Sequence, residues 1–143
     1  RTTQMPSTMQ AMRTTFDTVG ELLGYDLNRT TISANDSLDV TLYWRGISSS
    51  IEKDYRVFAQ LVAADNRLIA QSDIAPANGR RPTRSWVSGE IIADRHSLNL
   101  SDKNYQGDAT LIVGLYDPET LARVSIQGRG DFILLPARVR VAK

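Results

Sequence analysis

One histidine, His96, and 16 acidic residues are the raw material for chemistry in a chain that contains no cysteine. The missing thiol removes cysteine nucleophiles, thiolate metal sites and disulfides together. A Ser-His-Asp arrangement or a zinc-histidine site would rest entirely on His96, which falls in a strand-like stretch, where a packed or surface histidine is the ordinary outcome. Asp73, Glu90, Asp94 and Asp117 could supply the paired carboxylates of glycoside hydrolysis, but nothing in their spacing sets the separation which that mechanism demands. Asp36, Asp39, Asp102, Asp108 and Asp117 lie in turn-like stretches, where oxygen-rich calcium sites are built. No EF-hand spacing accompanies them, and an aspartate in a turn readily bonds its own backbone. The residues therefore offer no nucleophile-base pair and call for no metal or cofactor.

Aromatic rings are the remaining candidates, because sugars are held by stacking on exposed rings with polar groups at the rim. Tyr43 faces away from Trp44 along one strand and Tyr105 lies in a turn, so these two are the expected ligand-facing rings. Trp44, in line with Leu38, Val40 and Leu42, belongs in the core instead. Lysine and arginine number 17, the formal net charge is +1, and no like-charged block forms a stripe, which argues against nucleic acid as a partner. The longest apolar runs, Ile91-Ile92-Ala93 and Phe132-Ile133-Leu134-Leu135, are too short to cross a bilayer.

The elements that must position these residues read as short strands between turns. Glu21 to Leu27 is apolar and aromatic with a bulge expected at Gly24, and Leu38 to Arg45 alternates cleanly. Tyr55 to Ala64 and Ala109 to Tyr116 are apolar on both faces and so central, and Asp65-Asn66 joins the first of these to Arg67–Asp73 as a hairpin. Glu90 to Leu100 is a further strand. Asp117-Pro118 starts a turn from which Leu121 to Ile126 is expected to return antiparallel, and Pro136 marks the last strand as an edge. Between two of these strands, Pro82 and Gly89 bracket Trp86 in a loop that reads as a structural clasp with Asp94. Residues 1–16, rich in Thr, Ser, Gln and Met, read as a flexible arm, with Met5, Met9, Met12 and Phe16 at the spacing of one docked helical turn.

The chain is thus expected to be all-β: an arm over 1–16 and one domain over 17–143, an antiparallel two-sheet β-sandwich of about eight or nine strands, immunoglobulin-like or jelly-roll-like. A length of 143 residues buries enough surface for a core without disulfides.

Several stretches occur here in one fixed order: Tyr43-Trp44-Arg45, Tyr55 to Leu61, Pro82-Thr83 with Trp86 and Gly89-Glu90, Asp94, and Val113 to Pro118 with Arg123. Together, over Leu22 to Ile126, they resemble a bacterial β-sandwich region that accompanies multi-spanning glycosyltransferases of the protein-mannosyltransferase type. The resemblance implies an extracytoplasmic module, periplasmic or at the cell surface, tethered to the membrane only through a parent protein's spans. It brings no catalytic residues with it. Two functions follow as expectations: a noncatalytic accessory module of a sugar-transfer protein that takes carbohydrate, or a structural spacer that contacts another extracytoplasmic domain and has no small-molecule ligand.

Overall fold

A computed structural model describes residues 2–6 and 9–143. Nine strands are named: β1 (Gln10–Phe16), β2 (Gly20–Leu27), β3 (Thr31–Ile32), β4 (Ser37–Gly46), β5 (Arg56–Ala63), β6 (Leu68–Ile74), β7 (Ile91–Asn99), β8 (Gly107–Tyr116) and β9 (Ile133–Val141). They form two sheets, β1-β2-β4-β7 and β3-β9-β8-β5-β6, stacked as a β-sandwich. Period-two burial drives the stacking. Leu38, Val40, Leu42 and Trp44 from β4 meet Val57, Ala59 and Leu61 from β5 and Leu111, Val113 and Leu115 from β8, all sealed from solvent. Among the described residues no helix is long and apolar enough to cross a membrane.

Where the sequence signals were strongest, the strands fall as expected. The register between β2 and β4 slips between Leu22 and Gly24, which is the bulge. Asn66 turns the β5–β6 hairpin with φ at 70°. Elsewhere the structure departs from the expectation. From Gln10 the expected arm is a strand: β1 pairs with β2, and its inward positions Met12, Thr14 and Phe16 follow a period of two. The helical spacing of the methionines was a coincidence of composition, and Arg1, Ser7 and Thr8 of that arm lie outside the described residues.

Leu121 to Ile126 does not return as a strand. Arg123 makes one bridge to Tyr116, and the chain then crosses to the other sheet, where Asp17 N–H donates to the carbonyl of Ser125 at 2.9 Å and Ile126 bridges to Phe16. Leu121, with φ at 67°, breaks the extended run before it begins. Nor is β9 an edge, because it lies between β8 and the two-residue β3, which pairs with it in parallel. Pro136 is tolerated there because the β8–β9 register slips between Thr110 and Ile112, and because β3 reaches only Arg140 and Val141.

The loop from Pro76 to Glu90 closes one end of the sandwich around Trp86, which is buried to 1% exposure. The indole lies 6.0 Å from the Trp44 ring, centroid to centroid, and its Nε1–H donates to the carbonyl of Arg81 at 2.9 Å. A single 3-10 turn, Thr83–Ser85, follows Pro82; buried Thr83 donates its hydroxyl to the Lys53 carbonyl and accepts from the Tyr55 N–H. Gly89 has φ at 86°, a conformation that a side chain would strain.

Candidate functional site

Two surfaces carry convergent polar groups, and the second adds aromatic ones. The first is a cleft at the open side of the sandwich, between β6 at the edge of one sheet and β7 at the edge of the other. It encloses about 540 Å³ and is lined by Ser72 and Ile74, by Ala77, Asn78 and Arg80 of the following loop, and by Ala93, Arg95 and Ser97. Beneath it runs a buried relay. β7 turns Ile92, Asp94, His96 and Leu98 inward, so a carboxylate and an imidazole enter an otherwise apolar face two residues apart. Both are fully buried. Asp94 Oδ2 accepts from Trp44 Nε1–H at 3.1 Å and is 2.7 Å from His96 Nε2, while Oδ1 accepts from the Ala77 N–H at 2.8 Å. His96 Nδ1 is 2.7 Å from Ser72 Oγ. With the neutral ring donating Nε2–H to Asp94, Nδ1 accepts the Ser72 hydroxyl proton, and every member is satisfied.

Serine, histidine and aspartate in series have the connectivity of a hydrolytic triad. Here the imidazole has no exposed edge with which to reach a leaving group, and what the relay does in this conformation is tie β6 of one sheet to β7 of the other. Sequence reasoning had Asp94 as part of the clasp and left His96 as packed or surface; the alternation of β7 was the signal that they share a face.

The second surface is the outer face of the five-stranded sheet. Phe58 of β5 lies flat across Gly114 of β8, where a Cβ would stand 2.1 Å from the ring's Cζ, so only glycine lets the phenyl lie down on the sheet. Tyr116 stands beside it with ring centroids 6.3 Å apart, and the Arg123 guanidinium covers the phenyl at 4.4 Å. Tyr116 donates its hydroxyl to Asp73 Oδ1 at 2.6 Å, and Arg56 lies 3.6 Å from the same carboxylate. Burial and that bond push the Tyr116 phenol up from its ordinary range. Phe58, Asp73, Tyr116 and Arg123, with Gln60 and the exposed Leu121, line a hollow of about 180 Å³.

The two tyrosines singled out in the sequence sit in different layers. Tyr43, on the outer side of β4, donates its hydroxyl to Asp26 Oδ2 at 2.8 Å. Tyr105, between β7 and β8, donates to the Asp108 carbonyl, accepts from the Ala64 N–H at 3.1 Å, and lies under Arg67. The structure does not bring them together. The turn aspartates are likewise engaged: Asp36 accepts from Ser33 N–H, Asp102 from Asn104 N–H, Asp117 from Glu119 N–H and Lys53, Asp39 from Arg95 and Ser97, and Asp108 from Arg140. Among the described residues no three acids or histidines converge as a metal site.

Burial, followed by the bond to Asp26, pushes the Tyr43 phenol up to about 12. The folded-state value lies above the ordinary 10.0, so the stability these contacts contribute is complete below pH 10 and is lost as pH rises to about 12. In a spectrophotometric titration at 295 nm the wild type should show a late-ionising tyrosine that is missing in Tyr43→Phe. If both proteins give one identical titration curve, the bond to Asp26 is not formed.

No protein-family model matches the chain, and no curated protein matches it. Among solved structures, the C-terminal domain of Wzt is similar, with a TM-score of 0.60 at 14% sequence identity over 94% of this chain and 81% of that one. AvmM, which catalyses macrocyclization in alchivemycin A biosynthesis, aligns with a TM-score of 0.43 and 11% identity over 95% of this chain and 96% of that one, too distant for any argument. The likeness to the Wzt domain establishes the β-sandwich fold and transfers no residue roles.

Proposed function

We propose that this domain is a noncatalytic accessory module that binds carbohydrate outside the cytoplasm, beside the sugar-transfer part of a parent protein. The hollow over Phe58 and Tyr116 is the observation that carries the binding. A pyranose presents an apolar C–H face and a rim of hydroxyls, and the hollow offers matching parts: the half-buried Tyr116 ring as its aromatic surface, with Asp73, Gln60 and Arg123 around it, while the Phe58 ring is buried under Arg123. Its volume suits one sugar unit rather than a chain. The stacking role passes to Tyr116 from Tyr43 and Tyr105, neither of which lines this hollow. The setting beside sugar transfer rests on the ordered sequence stretches from Tyr43 to Arg123.

Calorimetric titration with a panel of mono- and oligosaccharides tests the reading. Tyr116→Ala should weaken any sugar that binds by about tenfold or more, the scale of one lost stacking contact. Tyr43→Phe should leave the same affinity intact. If no sugar gives heat with the wild type, the binding reading falls, and the domain is better described as a spacer or protein-contact module.

A further inference from the structure

The hollow beside Tyr116 has a neighbour on the same face of the five-stranded sheet. β5 alternates, so Phe58, Gln60 and Val62 stand on its outer side in line while Val57, Ala59 and Leu61 enter the core. Phe58 and Gln60 line the first hollow, and Val62 lines the second, which encloses about 310 Å³. Register decides what surrounds Val62. It pairs with Thr110 of β8, and Thr110 pairs with Arg138 of β9, so one cross-strand row brings an apolar floor, a hydroxyl and a guanidinium to the second hollow. Between the two hollows runs the row Gln60, Ile112 and Leu134, in which Leu134 is 51% exposed. From Phe58 to Val62 the strand covers about 13 Å, further than one pyranose ring reaches. A single sugar ligand that fills both hollows is therefore a linked chain.

Charge narrows which chain it is. In the first hollow Asp73 lies 3.6 Å from Arg56 and Arg123 lies 3.5 Å from Asp131, and at the rim of the second Asp108 lies 3.2 Å from Arg140. Each of these has a partner of opposite sign. Arg138 is exposed, lines the second hollow and makes no ion pair among the described residues. A guanidinium is weakly hydrated and presents a planar fork of donors, so on a rim of apolar and hydroxyl groups it suits a carboxylate held by paired N–H donors. A neutral chain would leave that fork unused. Ile112 and Leu134 offer the units between the hollows an apolar surface for their C–H faces.

We infer that the two hollows form one groove for a linear acidic oligosaccharide, with one unit against Tyr116 and a hexuronic acid further along the chain whose carboxylate accepts from Arg138. The chain leaves the first hollow along β5 towards Asn66 at the β5–β6 turn, which also lines the second hollow. This rests on the carbohydrate reading above and adds to it the class of sugar and the path of the chain.

Calorimetric titration of the intact chain, with its amide NMR spectrum followed in parallel, tests this. The probes are tetrasaccharides of galacturonate, of mannuronate and of hyaluronan, the carboxyl-reduced form of each, and the corresponding single sugars. At least one acidic tetrasaccharide should bind about tenfold or more tightly than its reduced form. It should shift the amides of Val62 and Thr110 together with that of Gln60, whereas single sugars should leave Val62 and Thr110 in place. Arg138→Gln, a change at an exposed position, should abolish the preference for the acidic chain and leave the affinity for single sugars unchanged. Arg138→Lys should restore part of that preference, and Tyr116→Ala should weaken chains and single sugars alike. If sugars bind and lose affinity in Tyr116→Ala, but acidic chains bind no better than reduced ones or keep their advantage in Arg138→Gln, this inference falls and the carbohydrate reading stands. If no chain and no single sugar binds, both fall.

Discussion

Asp94→Ala is expected to lower stability by about 3 to 5 kcal/mol, read as a fall in the urea midpoint at unchanged slope. The loss comes from the groups left behind. Trp44 Nε1–H, His96 Nε2–H and the Ala77 N–H all point at Asp94 from buried or half-buried positions, and the substitution removes the acceptor that each of them uses. Each orphaned donor costs about 1 to 3 kcal/mol where water cannot reach it. Asp94→Asn should lie between the two, because one amide oxygen can still accept while the amide nitrogen faces donors. An alanine variant that melts with the wild type would show that the relay is not formed in solution, and the tie between β6 and β7 would go with it.

Trp86→Ala is expected to have a comparable effect, about 3 to 5 kcal/mol, through a different mechanism. The indole fills the space between Trp44 and Gly20, where a Cβ on Gly20 would stand 2.6 Å from Cζ3, so its removal leaves a void that the stapled loop from Thr83 to Glu90 cannot collapse into. Trp86→Phe keeps most of the packing and loses the bond to the Arg81 carbonyl, so it should fall by less than half as much. Equal urea midpoints for wild type and Trp86→Ala would mean that the loop is not anchored by the ring. Trp44 touches both sites, packing on Trp86 and donating to Asp94, so the double variant should depart from the sum of the single ones.

Period and turn chemistry made most strands legible. β4 could be read residue by residue because its inward set is purely apolar, and Asn66 announced its hairpin. β1 could not, because its inward positions mix Met12, Thr14 and Phe16 and the outward ones are Thr and Arg, which leaves little contrast for a period of two. The end of the chain misled for a related reason: proline signals an edge unless a register slip removes the bond it would have broken, and that slip depends on a pairing partner 20 or more positions away. The relay was half visible. A carboxylate and a histidine at i and i+2 on an apolar strand face were there to be seen; Ser72, Ala77 and Trp44, at separations of 24, 17 and 50 residues, were not, because only the stacking of the sheets brings them in. The sugar hollow was hidden in the same way, since Phe58 finds Gly114 through cross-strand register alone.

The order β1-β2-β4-β7 also has a kinetic meaning. β1 with β2, and β5 with β6, are near neighbours in the chain and can zip in microseconds, as hairpins do. β4 and β7 must meet across a separation that reaches 62 residues at the Ser37–Asn99 end, and β3 and β9 across a greater one, so the entropy of closing long loops is lost before either pairing gains anything. A chain of this topology belongs with the slow two-state folders, in milliseconds to seconds. Trp44 depends on β7 for Asp94 and on the neighbouring loop for Trp86, so its final surroundings assemble only after the slow pairing, and the nascent chain exposes the apolar faces of β4 and β5 until residues beyond Asn99 have been made.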